Sequence, residues 1–213
     1  LSPVEVAQTE RTWTVSIRGI IRGIMRHIVT APALAVVCCL SLTACSGRDD
    51  RSDPRPSPRT VFRLGQSSDT AGADGEGTVR ITVDSVAYVE KAGASNPEHD
   101  LFAVVRYEAA NPSKAPVTST VATGGFRWRA NDGRNVGAGN TKAARGVFAV
   151  GSSEGGATVP PKVFTVDTVA FDITAAQKGA TLTYVDGDGA TYRWKMPSKS
   201  SGSAAIALQL ALR

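Results

Sequence analysis

Few side chains in this sequence are equipped for catalysis or metal binding. Its 213 residues include two histidines, His27 and His99, and three cysteines, Cys38, Cys39 and Cys45. General acid–base chemistry near neutral pH most often recruits histidine. His99 lies in Asn96-Pro97-Glu98-His99-Asp100, a polar stretch that reads as a surface loop. Neither a His-Glu-x-x-His zinc pair nor a Ser-x-x-Lys motif occurs. Asp186-Gly187-Asp188-Gly189 offers carboxylates, but calcium takes six to eight oxygens and the further ligands of an EF-hand are missing, so a hairpin tip is expected there. Gly137-Ala138-Gly139-Asn140-Thr141-Lys142 lacks the Gly-Lys-Ser/Thr ending of a phosphate loop. No cofactor is expected, and no enzyme, although a fold can bring any two carboxylates together and a carboxylate-dependent hydrolase of envelope polymers stays open as the alternative.

The sulfur chemistry is better placed. Ile28 to Leu42 is an uncharged apolar run, and Leu42-Thr43-Ala44-Cys45 closes it. Fifteen helical residues reach ~22 Å, short of the ~30 Å hydrocarbon core, so the run fits the apolar part of a signal peptide better than a permanent span. Leu42, Thr43, Ala44 and Cys45 resemble the lipobox of bacterial lipoproteins. That resemblance implies cleavage before Cys45, a diacylglyceryl group on its thiol, and a protein anchored to the cell membrane on its extracytoplasmic side. An uncleaved N-terminal anchor is the alternative. Residues 1–44 are therefore expected to be a signal peptide. Met25-Arg26-His27 is a compact basic start for it, with translation expected to begin at Met25. The competing reading of the first 25 residues is a basic amphipathic stripe: Ile17, Ile20, Ile21 and Ile24 beside Arg18, Arg22 and Arg26.

Processing at Cys45 would leave no partner for a disulfide and only His99 as a second soft ligand, which excludes a structural zinc site. The net charge of +5 falls to +3 when four Arg and two Glu are removed with the leader, too weak a balance to argue for nucleic acid. From Cys45 to Thr60 charges alternate, apolar side chains are nearly absent, and Pro54, Pro56 and Pro58 favour extended backbone, which predicts a disordered tether over residues 45–60.

Residues 61–197 carry the foldable part, in short alternating runs punctuated by Gly, Asn, Asp and Pro. Val61 to Gly65 is expected to open a sheet, followed by a loop through Gly77. Thr78 to Val89 puts Val79, Ile81 and Val83 on one face. Leu101 to Ala109 and Val163 to Ile173 are strong strands, while Pro116 to Val121 and Gly146 to Val150 are weaker ones. Gly125 to Ala130 turns Phe126 and Trp128 one way and Arg127 and Arg129 the other, before the turn Asn131-Asp132-Gly133. Ala180 to Val185 and Ala190 to Met196 make a hairpin across the Asp-Gly repeat. A single helical turn is expected near Ile173 to Lys178. This spacing predicts an all-β, antiparallel sandwich of seven to eight strands, with Trp128, Trp194, Phe171, Phe126 and Tyr107 in its core. Residues 198–213 are expected to be a disordered tail; their spacing would also suit a strand and their alanines a short helix.

Phe62-x-Leu64-Gly65, then Thr78-Val-Arg-Ile-Thr-Val83, then Phe102-Ala103-Val104-Val105 leading to Asn111 are similar to telokin-like, immunoglobulin-like domains of Gram-positive lipoproteins and mycobacterial secreted antigens. The resemblance runs from about Phe62 to Trp194 and implies an immunoglobulin-like sandwich; it carries no activity. Function is expected to be binding or interaction at the cell envelope, with an envelope polymer or a protein as partner. One cluster suggests where: Arg127, Arg129, Arg134, Lys142 and Arg145 are opposed in that stretch by Asp132 alone, an expected contact patch for anions.

Overall fold

The computed structural model describes residues 60–120, 125–147 and 156–213. The leader, Leu42, Thr43, Ala44, Cys45 and nearly all of the tether lie outside the described residues, as do most of the weak strand expected over residues 146–150 and the loop after it.

Eleven strands occur among the described residues, seven of them four residues or longer: β1 (Ser67–Ala71), β2 (Thr78–Val89), β3 (Leu101–Ala110), β5 (Phe126–Arg129), β8 (Phe164–Ile173), β9 (Thr181–Val185) and β10 (Thr191–Lys195). The short ones are β4 (Val117–Thr118), β6 (Asn135–Gly137), β7 (Thr158–Val159) and β11 (Ser201–Gly202); two α-helices, α1 (Lys142–Arg145) and α2 (Ala205–Ala211), and one 3-10 turn, Ala175–Gln177, within the stretch where a single helical turn is expected, complete the set. One sheet runs β1-β2-β3-β8 with β11 added against β2, the other runs β10-β9-β5-β6, and β4 pairs with β7. Every strand pairing is antiparallel. The fold is thus an antiparallel β-sandwich.

Its core lies between the two larger sheets. Val79, Ile81, Val83, Ala103, Val105, Tyr107, Phe171 and Ile173 come from one side, and Phe126, Trp128, Leu182, Tyr184, Tyr192 and Trp194 from the other. The five aromatic residues expected in the core are all buried. Both buried indoles keep a hydrogen-bond partner: Trp128 Nε1 donates to the Gln177 carbonyl and Trp194 Nε1 to that of Gln66, each at 3.0 Å.

Strand β2 breaks register between Val83 and Ser85. A bulge inserts one residue and reverses which side chains face inward. Hence odd-numbered Val79, Ile81 and Val83 share the core with even-numbered Val86, while Ala87 points out the other way. Asp84, the extra residue, pairs with the Arg106 guanidinium.

Three expectations are corrected. The sheet does not open at Val61 to Gly65. Gly65 adopts φ 82° and Gln66 N–H donates to the Arg63 carbonyl, so the run turns after one parallel bridge between Phe62 and Trp194. The first strand is the polar segment Ser67–Ala71, inside the stretch expected to be loop. Third, the tail is ordered. Gly202 in β11 pairs with Ser85 at φ 110°, and α2 then buries Ala205 and Leu208, with Leu212 beyond it, against Ala87, Phe102 and Val104. The physical reason is that Leu101 to Val105 is buried at every position. A continuous apolar run needs cover on both faces of its sheet, and α2 with Ala144 and Val147 supplies the second cover.

Candidate functional site

The outward face of the β10-β9-β5-β6 sheet collects the cations. Because Phe126 and Trp128 are buried in β5, Arg127 and Arg129 are exposed on its other side. Register then joins them to a strand far away in sequence. Arg127 is opposite Thr183, and Thr183 is opposite Arg193; Arg129 is opposite Thr181, and Thr181 is opposite Lys195. Buried Tyr192 and Trp194 send Arg193 and Lys195 outward in the same way. Two basic strands therefore flank a central column of threonines.

Strand spacing puts Arg127 and Arg193, or Arg129 and Lys195, ~10 Å apart across the threonine column, with ~7 Å between successive cations along each strand. The threonines prevent like charges from standing directly opposite one another, which would be destabilising. Thr183 donates to the Arg127 carbonyl at 3.2 Å, and Lys195 Nζ donates to the Gly179 carbonyl at 2.8 Å. The remaining outward positions of β5, β6, β9 and β10 are Asn135, Gly137, Val185 and Thr191, so among the described residues no outward strand position of this sheet is a carboxylate. At its edge Phe62 bridges Trp194 and stacks on it with ring centroids 5.4 Å apart, leaving Arg63 exposed beside Lys195.

The five-residue patch expected from the sequence is divided. Arg127 and Arg129 stay together. Arg134 sits in the β5–β6 turn with its guanidinium 3.6 Å from Asp132. Lys142 and Arg145 belong to α1, whose buried Ala144 packs with Phe102, Val104 and Ala170 on the outer side of the other sheet. Missed were Arg193 and Lys195. Their alternation with Tyr192 and Trp194 repeats that of Arg127 and Arg129 with Phe126 and Trp128, and that was the available signal.

The buried carboxylates hold the fold together. Asp186 accepts from Ala71, Asp188 and Ala190 N–H and from the Tyr192 hydroxyl, at 2.8–3.1 Å. These four donors surround the carboxylate that the Asp-Gly repeat would have offered to calcium. Asp172 accepts from Glu98 N–H at 2.6 Å, His99 N–H at 3.0 Å and the Thr141 hydroxyl at 2.9 Å. His99 Nδ1 lies 3.2 Å from it, on a half-exposed ring. Asp172 thus pins the loop that carries His99 to β8. Burial pushes the Tyr107 phenol well above its usual range, and nearby Asp167 adds to the effect.

One open depression of about 310 Å³ is lined by Tyr88, Val89, Glu90, Lys91, Gln209, Leu212 and Arg213. It adjoins α2 and contains no paired carboxylates beyond the single Glu90. No helix among the described residues is long and apolar enough to cross a membrane.

No protein-family model matches the chain, and no curated protein matches it. Among solved structures it is similar to MPT63, a secreted protein of Mycobacterium tuberculosis, at 16% identity and a TM-score of 0.45, over 64% of this chain and 96% of that one. It is also similar to a candidate lipoprotein, YcdA, of Bacillus subtilis, at 16% identity and a TM-score of 0.42, over 64% of this chain and 39% of that one. A β-sandwich protein of Clostridium difficile matches at 11% identity and a TM-score of 0.40, over 68% of this chain and 99% of that one. Likenesses at this level say nothing about ligand or activity.

Proposed function

We propose that this chain is a membrane-anchored, extracytoplasmic binding module. Cys45 bears the anchor, residues 46–60 are the tether, and the sandwich presents its β5–β9–β10 face to anionic material of the cell envelope. The observation that carries the binding reading is the charge pattern of that face. Arg127, Arg129, Arg193 and Lys195 occupy its outward positions, and among the described residues no carboxylate does. Clustered charge of one sign raises the local concentration of oppositely charged partners, and salt screens the attraction. A hydrolase based on paired carboxylates has less to recommend it, since Asp172 and Asp186 are each held by structural donors.

Retention of the purified protein on isolated cell envelope, measured across a salt series, tests this reading. Arg127→Glu with Arg129→Glu is expected to release the protein at low salt without changing its circular dichroism. Equal retention of variant and wild type at every salt concentration would remove the face from function. For the anchor, Cys45→Ala is expected to leave unprocessed precursor, and an unmodified Cys45 in the intact mass of the membrane form would refute lipidation.

A further inference from the structure

We infer that the outward side of α2 rests on the anionic surface of the bilayer that holds the anchor; the inference relies on the anchored reading above and adds which side of the domain meets lipid. A helix at a protein surface ordinarily turns polar residues to water. The outward side of α2 is instead apolar throughout. Ala205 and Leu208, with Leu212 beyond the helix, face the sheet, and the positions left to solvent are Ile206, Ala207, Leu210 and Ala211. Ile206 is 76% exposed and Leu210 58%, one turn apart on the same side. Gln209, the single polar residue of the helix, is turned aside to the Ser200 hydroxyl at 3.2 Å.

Cations flank this apolar side. Lys91 and Arg213 line the depression beside Gln209, and Lys199 adjoins Ser200. On the same outer face of the sheet lie Lys142 and Arg145 of α1, whose Ala144 shares a core cluster with Leu208. The exposed carboxylates nearby are Glu90 in the depression and Glu98 and Asp100 in the loop before β3, so the surroundings are net basic. Apolar side chains framed by Lys and Arg are the pattern by which a helix lies in a lipid interface. A second copy fits less well, because a seven-residue helix is about 10 Å long and offers too little surface for the ~800 Å² per partner of a stable interface. A polar polymer finds no hydrogen-bond partner at the four outward positions.

At ~3.1 Å per extended residue, the tether of residues 46–60 reaches no farther than about 46 Å. The domain therefore meets its own bilayer at the high effective concentration of a linked partner, where a small apolar contact suffices. Such docking also orients the domain. The helix lies outside the β1-β2-β3-β8 sheet, whereas Arg127 and Arg129 lie outside the other sheet. With α2 on lipid, the basic face looks away from the membrane.

The test uses the full chain purified from bacterial membranes and reconstituted into phosphatidylglycerol vesicles. Photoreactive benzoylphenylalanine takes the place of Leu210 or, as a control on the opposite sheet, of exposed Thr191. Irradiation is expected to give lipid adducts at the Leu210 site at least about fivefold more often than at Thr191. Ile206→Ser should cut the Leu210 yield at least about threefold without changing the circular dichroism. Phosphatidylcholine vesicles should also lower it, and an equal yield there would overturn the anionic assignment. Chain-to-chain adducts in place of lipid adducts would assign α2 to a second copy and overturn the inference, as would equal lipid yields at the two sites. An unmodified Cys45 in the same material would refute the lipid anchor alone. An uncleaved apolar run would still hold the chain to the vesicle, so the Leu210 adducts would still decide where α2 lies.

Discussion

Ala71 N–H donates to Asp186 Oδ2 at 2.9 Å, tying the end of β1 in one sheet to the tip of the β9–β10 hairpin in the other. The approach is so close that a Cβ on Gly187 would collide with the backbone of Gly72, Ala73 and Gly75. The clasp fixes the hairpin, and through its register the hairpin sets Lys195 across from Arg129.

Asp186→Ala is therefore expected to cost about 2–4 kcal/mol, because it strands buried donors rather than deleting one exposed contact. Thermal melts should show the loss in an otherwise cooperative transition. Calcium at millimolar concentration should not shift the wild-type midpoint, since the carboxylate is already enclosed by four donors.

Helix α2 separates packing from exposure within two residues. Leu208 is 1% exposed and Leu210 is 58% exposed. Leu208→Ala should destabilise by about 2–5 kcal/mol, whereas Leu210→Ser should stay within about 0.5 kcal/mol of wild type. Denaturant unfolding distinguishes the two, and equal effects would mean that α2 is not docked.

Tyr88 makes alkaline stability measurable. Its hydroxyl donates to the Pro197 carbonyl at 2.7 Å, and desolvation by burial pushes its pKa up to about 12. The fold favours the protonated phenol, so its contribution is complete below the ordinary value near 10 and is lost as pH rises through about 12. Tyr88→Phe should lower stability by about 1 kcal/mol at neutral pH. It should also flatten the decline in melting temperature between pH 10 and 12.

Trp194 is fully buried, stacks against Phe62 and donates to the Gln66 carbonyl. Trp194→Ala should cost about 3–5 kcal/mol by denaturant titration. A change near zero would contradict its place at the centre of the core.

Much of this arrangement is local and was legible in the chain. Strand periodicity in Thr78 to Val83, the Phe-Arg-Trp-Arg alternation and the Asp-Gly hairpin follow from a pleat that sends successive side chains to opposite faces, whatever lies beyond. The polar edge strand β1 was not legible. Ser68 and Thr70 are buried there, with Thr70 donating to the Val79 carbonyl, so their partner on β2 makes the strand and composition does not. Nor could periodicity foresee the bulge at Asp84 or the docking of α2, because both answer to an apolar face elsewhere in the molecule.

The basic face shows the same division. Arg127 and Arg129 declared their direction through Phe126 and Trp128, but which charges join them was decided by pairing. Arg145, near them in sequence, leaves for the other flank because Ala144 buries there. Lys195 arrives from far along the chain because antiparallel hydrogen bonding sets it across Thr181 from Arg129. Nearness along a chain measures contour length, whereas a binding surface depends on distance in space, and sheet register is what converts one into the other.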